Sequence, residues 1–316
     1  MNHMLPPPLT GTDFGNGPTY RGKVRDTYDL GDGRLAIVTT DRISAFDHVL
    51  RQAIPLKGQV LNGVAAYFFE RTRDVAPNHL LGVPDSNVTV GVRCEPLPIE
   101  FVVRGYLAGH AWRVYRDGGR VLCGEPLPDG LREGEALPQP ILTPATKAAE
   151  GHDEDVTRKE ILDRGILDAD TLAEAADLAL QMYESGTELA AERGLILVDT
   201  KYEFGRSPDG QLLLIDEVHT PDSSRYYYAD GYEDRLGAGE PQRQLSKEFV
   251  REWLMDHGFQ GLNGQILPDL PPDFVRTVSE RYVELYETVT GQEFIPDLFP
   301  DPAGRVESVL QFLVNQ

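Results

Sequence analysis

The sequence predicts an α+β fold with a strand-rich front and a helical back. Residues 20–60 and 99–103 carry short β-branched and apolar runs broken by turn residues. Two further apolar runs, LILVDTKYEF and QLLLIDEV, flank Pro208-Asp209-Gly210 and read as a hairpin. From Ser246 onward, apolar residues recur at helical spacing instead.

Taken in order, the Pro-rich start reads as a loose arm. RGKVRDTYDL is a strand, Leu30 to Gly33 a turn, and LAIVTT the returning strand. IEFVV is another strand, and residues 124–140, rich in Gly, Pro and Glu, read as a loop. Thr171 and Glu174 have capping-box spacing and are expected to open a long helix carrying Leu172, Ala175, Ala176, Ala179, Met182, Tyr183 and Leu189, ended by Gly194. After the hairpin, Ser246 is expected to cap a helix with Phe249, Val250, Trp253 and Leu254. Pro272 starts another, with Phe274, Val275, Val278, Tyr282, Leu285 and Val289, closed by Gly291. A last helix lies near 304–314. No internal repeat or low-complexity tract is visible.

The 316 residues suffice for one large domain or two to three smaller ones. No uninterrupted apolar stretch of about 18 residues suggests a membrane span. The start has no basic segment ahead of an apolar core, so it does not read as a signal peptide. Cys94 and Cys123 fit no metal spacing and form no disulfide framework, which points to a reducing cytoplasm. A formal charge of −21 argues against general binding to nucleic acid or anionic membranes. Residues 1–60 hold 7 Lys or Arg against 6 Asp or Glu, and the rest 23 against 45, so a phosphate-binding loop fits best near the start. Over most of the surface the acidity serves solubility.

Five constellations carry candidate chemistry. The first is 198–225, VDTKYEFGRSPDGQLLLIDEVHTPDSSR. Alternation along a strand puts Asp199, Lys201 and Glu203 on one face. A turn centred near Asp209 places Glu203 almost opposite Asp216, with a residue or two of latitude. Facing carboxylates are unfavourable without a cation. Such a pair suits Mg²⁺, which takes few protein oxygens and leaves room for phosphates. The alternative is a solvated hairpin neutralised by Lys201. Thr220 to Arg225 then offers hydroxyls, a carboxylate and a guanidinium able to grip a phosphate or carboxylate.

The second, Tyr20-Arg21-Gly22-Lys23-Val24-Arg25, lets backbone approach a ligand at Gly22, with Lys23 and Arg25 projecting to one side of a strand. It lacks a P-loop pattern, and an exposed basic edge strand would look the same. The third, Asp41 to Asp47, clusters polar groups after an apolar strand. The fourth, Val103 to Trp112, has Arg104 ending a buried strand beside two glycines. It reads as an anion site or as a capped strand-to-helix turn with Trp112 in the core. The fifth runs from Thr143 through Lys147 to His152-Asp153-Glu154-Asp155, and by itself could be an ordinary loop with a helix cap. No nucleophile–base–acid set, GxSxG or HExxH appears. Anion-binding groups with one carboxylate cluster match phosphoryl transfer, where positioning and charge neutralisation do most of the catalysis.

Six segments in order, GKVRDTY, TTDRISAFD, VVRGYLAGHAW, TPATKAAEGHDED, LVDTKYEFG and IDEVHTPDSSRYY, resemble the SAICAR synthetase family. They span about residues 20–228, and the helical tail resembles the longer form of that family. The resemblance implies a SAICAR-synthase/ATP-grasp-like α+β fold with ATP between β-rich lobes. It implies an N-terminal arm (1–19), a β-rich ATP-binding lobe (20–103), a central substrate and metal lobe (104–235) and a helical C-terminal region on the core (236–316).

The implied reaction joins CAIR, a carboxyaminoimidazole ribonucleotide, to L-aspartate with ATP and Mg²⁺, through an acyl phosphate, in purine biosynthesis. On this resemblance Lys23, Lys201, Glu203 and Asp216 are catalytic. Gly22, Lys23, Arg25, Lys147, Glu203 and Asp216 bind ATP, and Glu203 and Asp216 hold Mg²⁺. Ser44, Asp47, Arg104, His110, Asp199, Asp222 and Arg225 form the substrate set. The sequence departs at His110, where the family usually carries serine. Competing readings are a small-molecule kinase or other ATP-grasp-like ligase, which needs no aspartate, and a nucleotide sensor, which would bind ATP without turnover.

Overall fold

The computed structural model describes residues 5–46, 48–147 and 154–315. Asp47, His152 and Asp153 lie outside the described residues. In chain order the elements are β1 (Tyr20–Arg21), β2 (Arg25–Gly31), β3 (Arg34–Thr39), β4 (Ser44–Ala45), β5 (His48–Val49), α1 (Lys57–Arg71), β6 (Leu80–Asp85), β7 (Val88–Val92) and β8 (Glu95–Tyr106). Next come α2 (Gly109–Arg116), β9 (Val121–Leu122), β10 (Glu125–Pro126), β11 (Ala136–Thr146), β12 (Glu154–Asp155), α3 (Arg158–Asp163), α4 (Ala169–Ala191) and β13 (Leu195–Arg206). The chain ends with β14 (Leu212–Ile215), β15 (Ser224–Tyr228), α5 (Tyr232–Ala238), β16 (Gln244–Leu245), α6 (Glu248–Asp256), α7 (Pro272–Thr290) and α8 (Pro302–Val314). The class is α+β, as the order of strand-like and helix-like segments predicts.

The chain forms two compact units. The first holds residues 1–67, 79–93 and 247–316, and the second 68–78 and 94–246. The first is built on an antiparallel sheet, β1-β2-β3-β7-β6. Tyr28, Ala36, Val38, Val88 and Val90 bury one face of it against Leu9 and against Val306, Leu310 and Leu313 of α8. Helix spacing puts those three α8 residues on one stripe, so the tail helix completes this core. α7 is tied to the same unit through Ser279, whose hydroxyl donates to the Pro55 carbonyl at 2.6 Å.

The second unit is built on the sheet β12-β11-β8-β13-β15-β16, with β14 pairing off β13. Long strands β8 and β13 run antiparallel, with Thr200 opposite Val103 and Tyr202 opposite Phe101. Those residues share one face, and the buried rings of Phe101 and Phe204 meet edge-on. α4 covers that face with Leu172, Ala175, Ala176, Ala179, Met182, Tyr183 and Gly186. The Tyr183 hydroxyl donates to the Leu197 carbonyl at 2.6 Å. It also stands where a Cβ at Gly105 would lie, so Gly105 is required for this approach. The alternate residues of β8 and β13 therefore face away from α4, and Glu100, Arg104, Asp199, Lys201 and Glu203 are among them.

Several local expectations are corrected. α1 has no counterpart among the expected elements, and its first four residues fall at the end of the 20–60 stretch expected to form strands. The 124–140 stretch contains β10 and the start of β11 rather than only loop. α4 is capped by Asp168, whose carboxylate accepts from the Thr171 N–H at 2.8 Å, so Thr171 sits inside the first turn. α6 follows Lys247 without a side-chain cap, so Ser246 does not cap it. Lys23 lies in the turn between β1 and β2, and Arg25 opens β2.

Candidate active site

The polar face of β8 and β13 carries two clusters. At one end Asp199 stands opposite Arg104. One Asp199 oxygen accepts from Arg104 at 3.3 Å and from Arg225 of β15 at 3.0 Å. Arg104 Nε also donates to Thr143 Oγ1 at 2.9 Å. Arg104 and Asp199 are buried, and the Arg225 side chain is only 11% exposed. Two guanidiniums on one carboxylate leave a positive surplus, and their planar forks suit a phosphate.

The start of α2 adjoins this pair. Gly109 has φ +53°, and a Cβ there would stand 2.6 Å from both terminal nitrogens of Arg225. The N-cap residue of α2, Ala108, makes no side-chain cap, and first-turn N–H groups of a helix suit water or an anion. His110 Nε2 stands 2.6 Å from Asp155 Oδ2. That hydrogen bond holds the Asp155 carboxyl below the usual carboxylate range against the upward push of burial, helped by the charges of His110 and Arg104.

At the other end Glu203 pairs with Glu100 across β8 and with Ile215 across β14. The hairpin register is thus one residue from the expectation, with Asp216 adjoining the residue opposite Glu203. Lys201 Nζ donates to Glu100 and to Glu203, each at 2.7 Å, and Lys147 donates to the other Glu203 oxygen. Burial pushes the Glu203 carboxyl up, but Lys201 and Lys147 outweigh it and hold it well below the usual range. Burial pushes the Lys201 ammonium down, but Glu203, Glu100 and Asp216 raise it well above its ordinary value. Lys201 is therefore a fixed cation at neutral pH.

This donor set bears on a metal. Among the described residues no three His, Cys, Asp or Glu side chains gather into a cage. Mg²⁺ needs no such cage, because water and phosphate oxygens complete its shell around one or two carboxylates. Glu100, Glu203 and Asp216 set three negative charges against Lys147 and Lys201, and each Glu203 oxygen accepts from one of those lysines.

The first unit carries Gly22, Lys23, Arg25 and Ser44. The turn at Gly22 and Lys23 closes with Gly22 N–H donating to the Arg25 carbonyl at 2.8 Å. Arg42 braces it, donating to the Gly22 carbonyl at 3.0 Å, the Lys23 carbonyl at 3.3 Å and Asp26 at 2.8 Å. Lys23 is exposed, and Ser44 is half-buried on β4. In the second unit Asp222 lies in the loop before β15, its N–H donating to Thr220 Oγ1 at 3.2 Å. Sequence reasoning assigned no role to Glu100, Arg42 or Asp155. A lone carboxylate inside the apolar run 99–103 was a signal for Glu100. Arg42 and Asp155 fall inside the third and fifth constellations, but their partners are remote in sequence, so no role followed for either.

A profile described as SAICAR synthetase matches residues 18–264. The chain is 53% identical over 310 residues to phosphoribosylaminoimidazole-succinocarboxamide synthase of Bacteroides thetaiotaomicron, covering 96% of this chain and 98% of that one. It is 52% identical to the protein of the same name from Flavobacterium psychrophilum, covering 98% and 99%. Among solved structures, SAICAR synthase from Saccharomyces cerevisiae complexed with SAICAR superposes with a TM-score of 0.78 at 33% identity, covering 91% of this chain and 100% of that chain. A SAICAR synthetase in complex with ADP superposes with a TM-score of 0.67 at 26% identity, covering 88% and 99%. The match extends over both units and includes both ends of the polar face, so this chain belongs to the SAICAR synthetase family.

Proposed function

We propose that the chain joins the carboxylate of CAIR to the amine of L-aspartate, converting ATP to ADP and phosphate. A carboxylate oxygen attacks the γ-phosphorus and ADP leaves. The aspartate amine then attacks the acyl phosphate, phosphate departs, and an amide remains. One observation carries this reading. The two-arginine anion site at Asp199 and the lysine–carboxylate cluster at Glu203 share one strand face, four residues apart. That spacing is roughly 13 Å at strand rise, which suits a ribonucleotide gripped by its phosphate with its carboxylate directed toward a nucleotide. The structural neighbours with SAICAR and with ADP hold the product and the spent nucleotide of this reaction.

In this mechanism Arg104 and Arg225 grip the CAIR phosphate, and Asp199 fixes their forks. His110 adjoins that phosphate, and Asp222 contributes to CAIR from the loop before β15. Lys201 offsets charge where the carboxylate meets the γ-phosphate, and Lys147 acts on the nucleotide side. Gly22, Lys23 and Arg25 form the loop that covers ATP phosphates, and Ser44 and Asp47 belong to the substrate set. Glu203 and Asp216 would hold Mg²⁺, which when bound lowers the repulsion between the nucleotide phosphates and the CAIR carboxylate. Both cysteines are unbridged, and no described helix is long and apolar enough to cross a membrane, in keeping with a cytoplasmic setting.

ADP formation followed with ATP, CAIR and aspartate, each omitted in turn, tests the reading. Turnover is expected only with all three. Rapid turnover with a sugar phosphate and none with CAIR would overturn it in favour of a kinase.

A further inference from the structure

The pair His110–Asp155 stands beside the two-arginine site, and the reaction as derived makes no use of its ability to change charge. Both side chains are about 40% exposed, so protons reach them. Asp155 belongs to β12 at the edge of the sheet, and its charge acts on Arg104 as well as on His110. It is thus a second carboxylate within electrostatic reach of Arg104, one of the two guanidiniums that Asp199 already holds. Over Arg104, Arg225, Asp199 and Asp155 the formal charge is zero when His110 is neutral and +1 when it is protonated. A phosphate monoester entering this site therefore meets a different charge in the two states.

Arg104 on β8 and Arg225 on β15 stay charged. Asp199 on β13 is locked between them. Burial keeps the Cys123 thiol, between β9 and β10, protonated by pushing it up to about 12. Arg113 on α2 and Glu154 on β12 are exposed. Histidine is the side chain that changes charge between about pH 5 and 8.

We propose that His110 and Asp155 form a proton-linked specificity element. Asp155 weakens the hold of Arg104 and Arg225 on the substrate phosphate, and protonated His110 relieves that competition. The inference rests on the CAIR reading, and on the phosphate lying at Arg104 and Arg225. When His110 gives up its proton the site loses one positive charge and its grip relaxes. The phosphate's own second ionisation runs the other way, since the dianion forms near pH ~6. Comparing variants at one pH cancels that contribution, because every variant meets the same ligand.

The test is calorimetric binding of CAIR, and of its ribonucleoside lacking the 5′-phosphate, at pH 6 and pH 8. The proteins are wild type, His110→Ser and Asp155→Asn. His110→Ser should bind CAIR about five- to tenfold more weakly than wild type at pH 6, the scale of one partly screened charge, and equal it at pH 8. Asp155→Asn should bind CAIR more tightly than wild type at pH 8, by a similar factor. Neither difference should appear with the ribonucleoside. If both variants weaken CAIR binding by one pH-independent factor, the pair only braces the fold and the proposal fails. If wild type binds no CAIR at either pH, the CAIR reading itself falls.

Discussion

Replacing Gly109 with alanine places a methyl group 2.6 Å from both Arg225 terminal nitrogens. An ordinary contact needs about 3.4 Å or more, so the guanidinium must retreat by about 0.8 Å. Its side chain is 11% exposed and bound to Asp199 at 3.0 Å, which leaves little room except at the cost of that bond. Loosening one charge-assisted hydrogen bond costs roughly 1.5–3 kcal/mol. The positive φ adds about 1 kcal/mol for any residue with a Cβ. Gly118 isolates the backbone part, because its φ is +98° and a Cβ there meets nothing within 4 Å. Gly109→Ala should therefore lower stability by roughly 1.5–3 kcal/mol more than Gly118→Ala. It should raise the KM for CAIR about 10- to 100-fold while leaving that for ATP within about twofold. The measurements are thermal denaturation and an ADP-release assay with each substrate varied. Equal KM values for CAIR in the two alanine variants would refute a phosphate-gripping Arg225.

Asp216→Asn should lower kcat by roughly 10²-fold or more while the protein stays folded. Asparagine tolerates the φ of +66° at this position but is a poor Mg²⁺ ligand, and near-normal kcat at moderate Mg²⁺ would contradict the assignment. Acid unfolding should involve His219, which is fully buried and held down to about 3 by burial. Its folded value lies below the unfolded one, so its contribution is complete above pH ~6.5 and fades as pH falls toward 3. Between pH 7 and 4.5 this amounts to roughly 2–3 kcal/mol. His219→Asn, compatible with the φ of +54°, should lose less stability than wild type over that interval, and denaturant melts with parallel losses would contradict this.

The polar face of the site was legible in the sequence because strand alternation is a local rule. Asp199, Lys201 and Glu203 fall on one side of β13 whatever the rest of the chain does. Their partners were not legible. Arg104 meets Asp199, and Glu100 meets Lys201, only once β8 pairs with β13 across about a hundred residues. The hairpin register falls one residue away, within the latitude expected, because turn length, rather than composition, decides which residue faces Glu203. α1 escaped detection for a tertiary reason. Its Gly58 abuts the Thr39 carbonyl, and a Cβ at Gly63 would stand 2.8 Å from the Tyr286 ring. Both glycines serve close packing, and they weaken the helical signal that periodicity relies on. At α4, Thr171 and Glu174 imitate a capping box one turn late. The complete box lies at Thr157 and Glu160, where α3 begins.

Oxygen transfer from carboxylate to phosphate tests carboxylate activation most directly. CAIR labelled with ¹⁸O in its carboxylate is turned over with ATP and aspartate, and the released phosphate is analysed by mass. An acyl phosphate formed by carboxylate attack on the γ-phosphorus leaves one labelled carboxylate oxygen in each phosphate released. Unlabelled phosphate, with the label retained in the amide product or lost to water, would contradict the account.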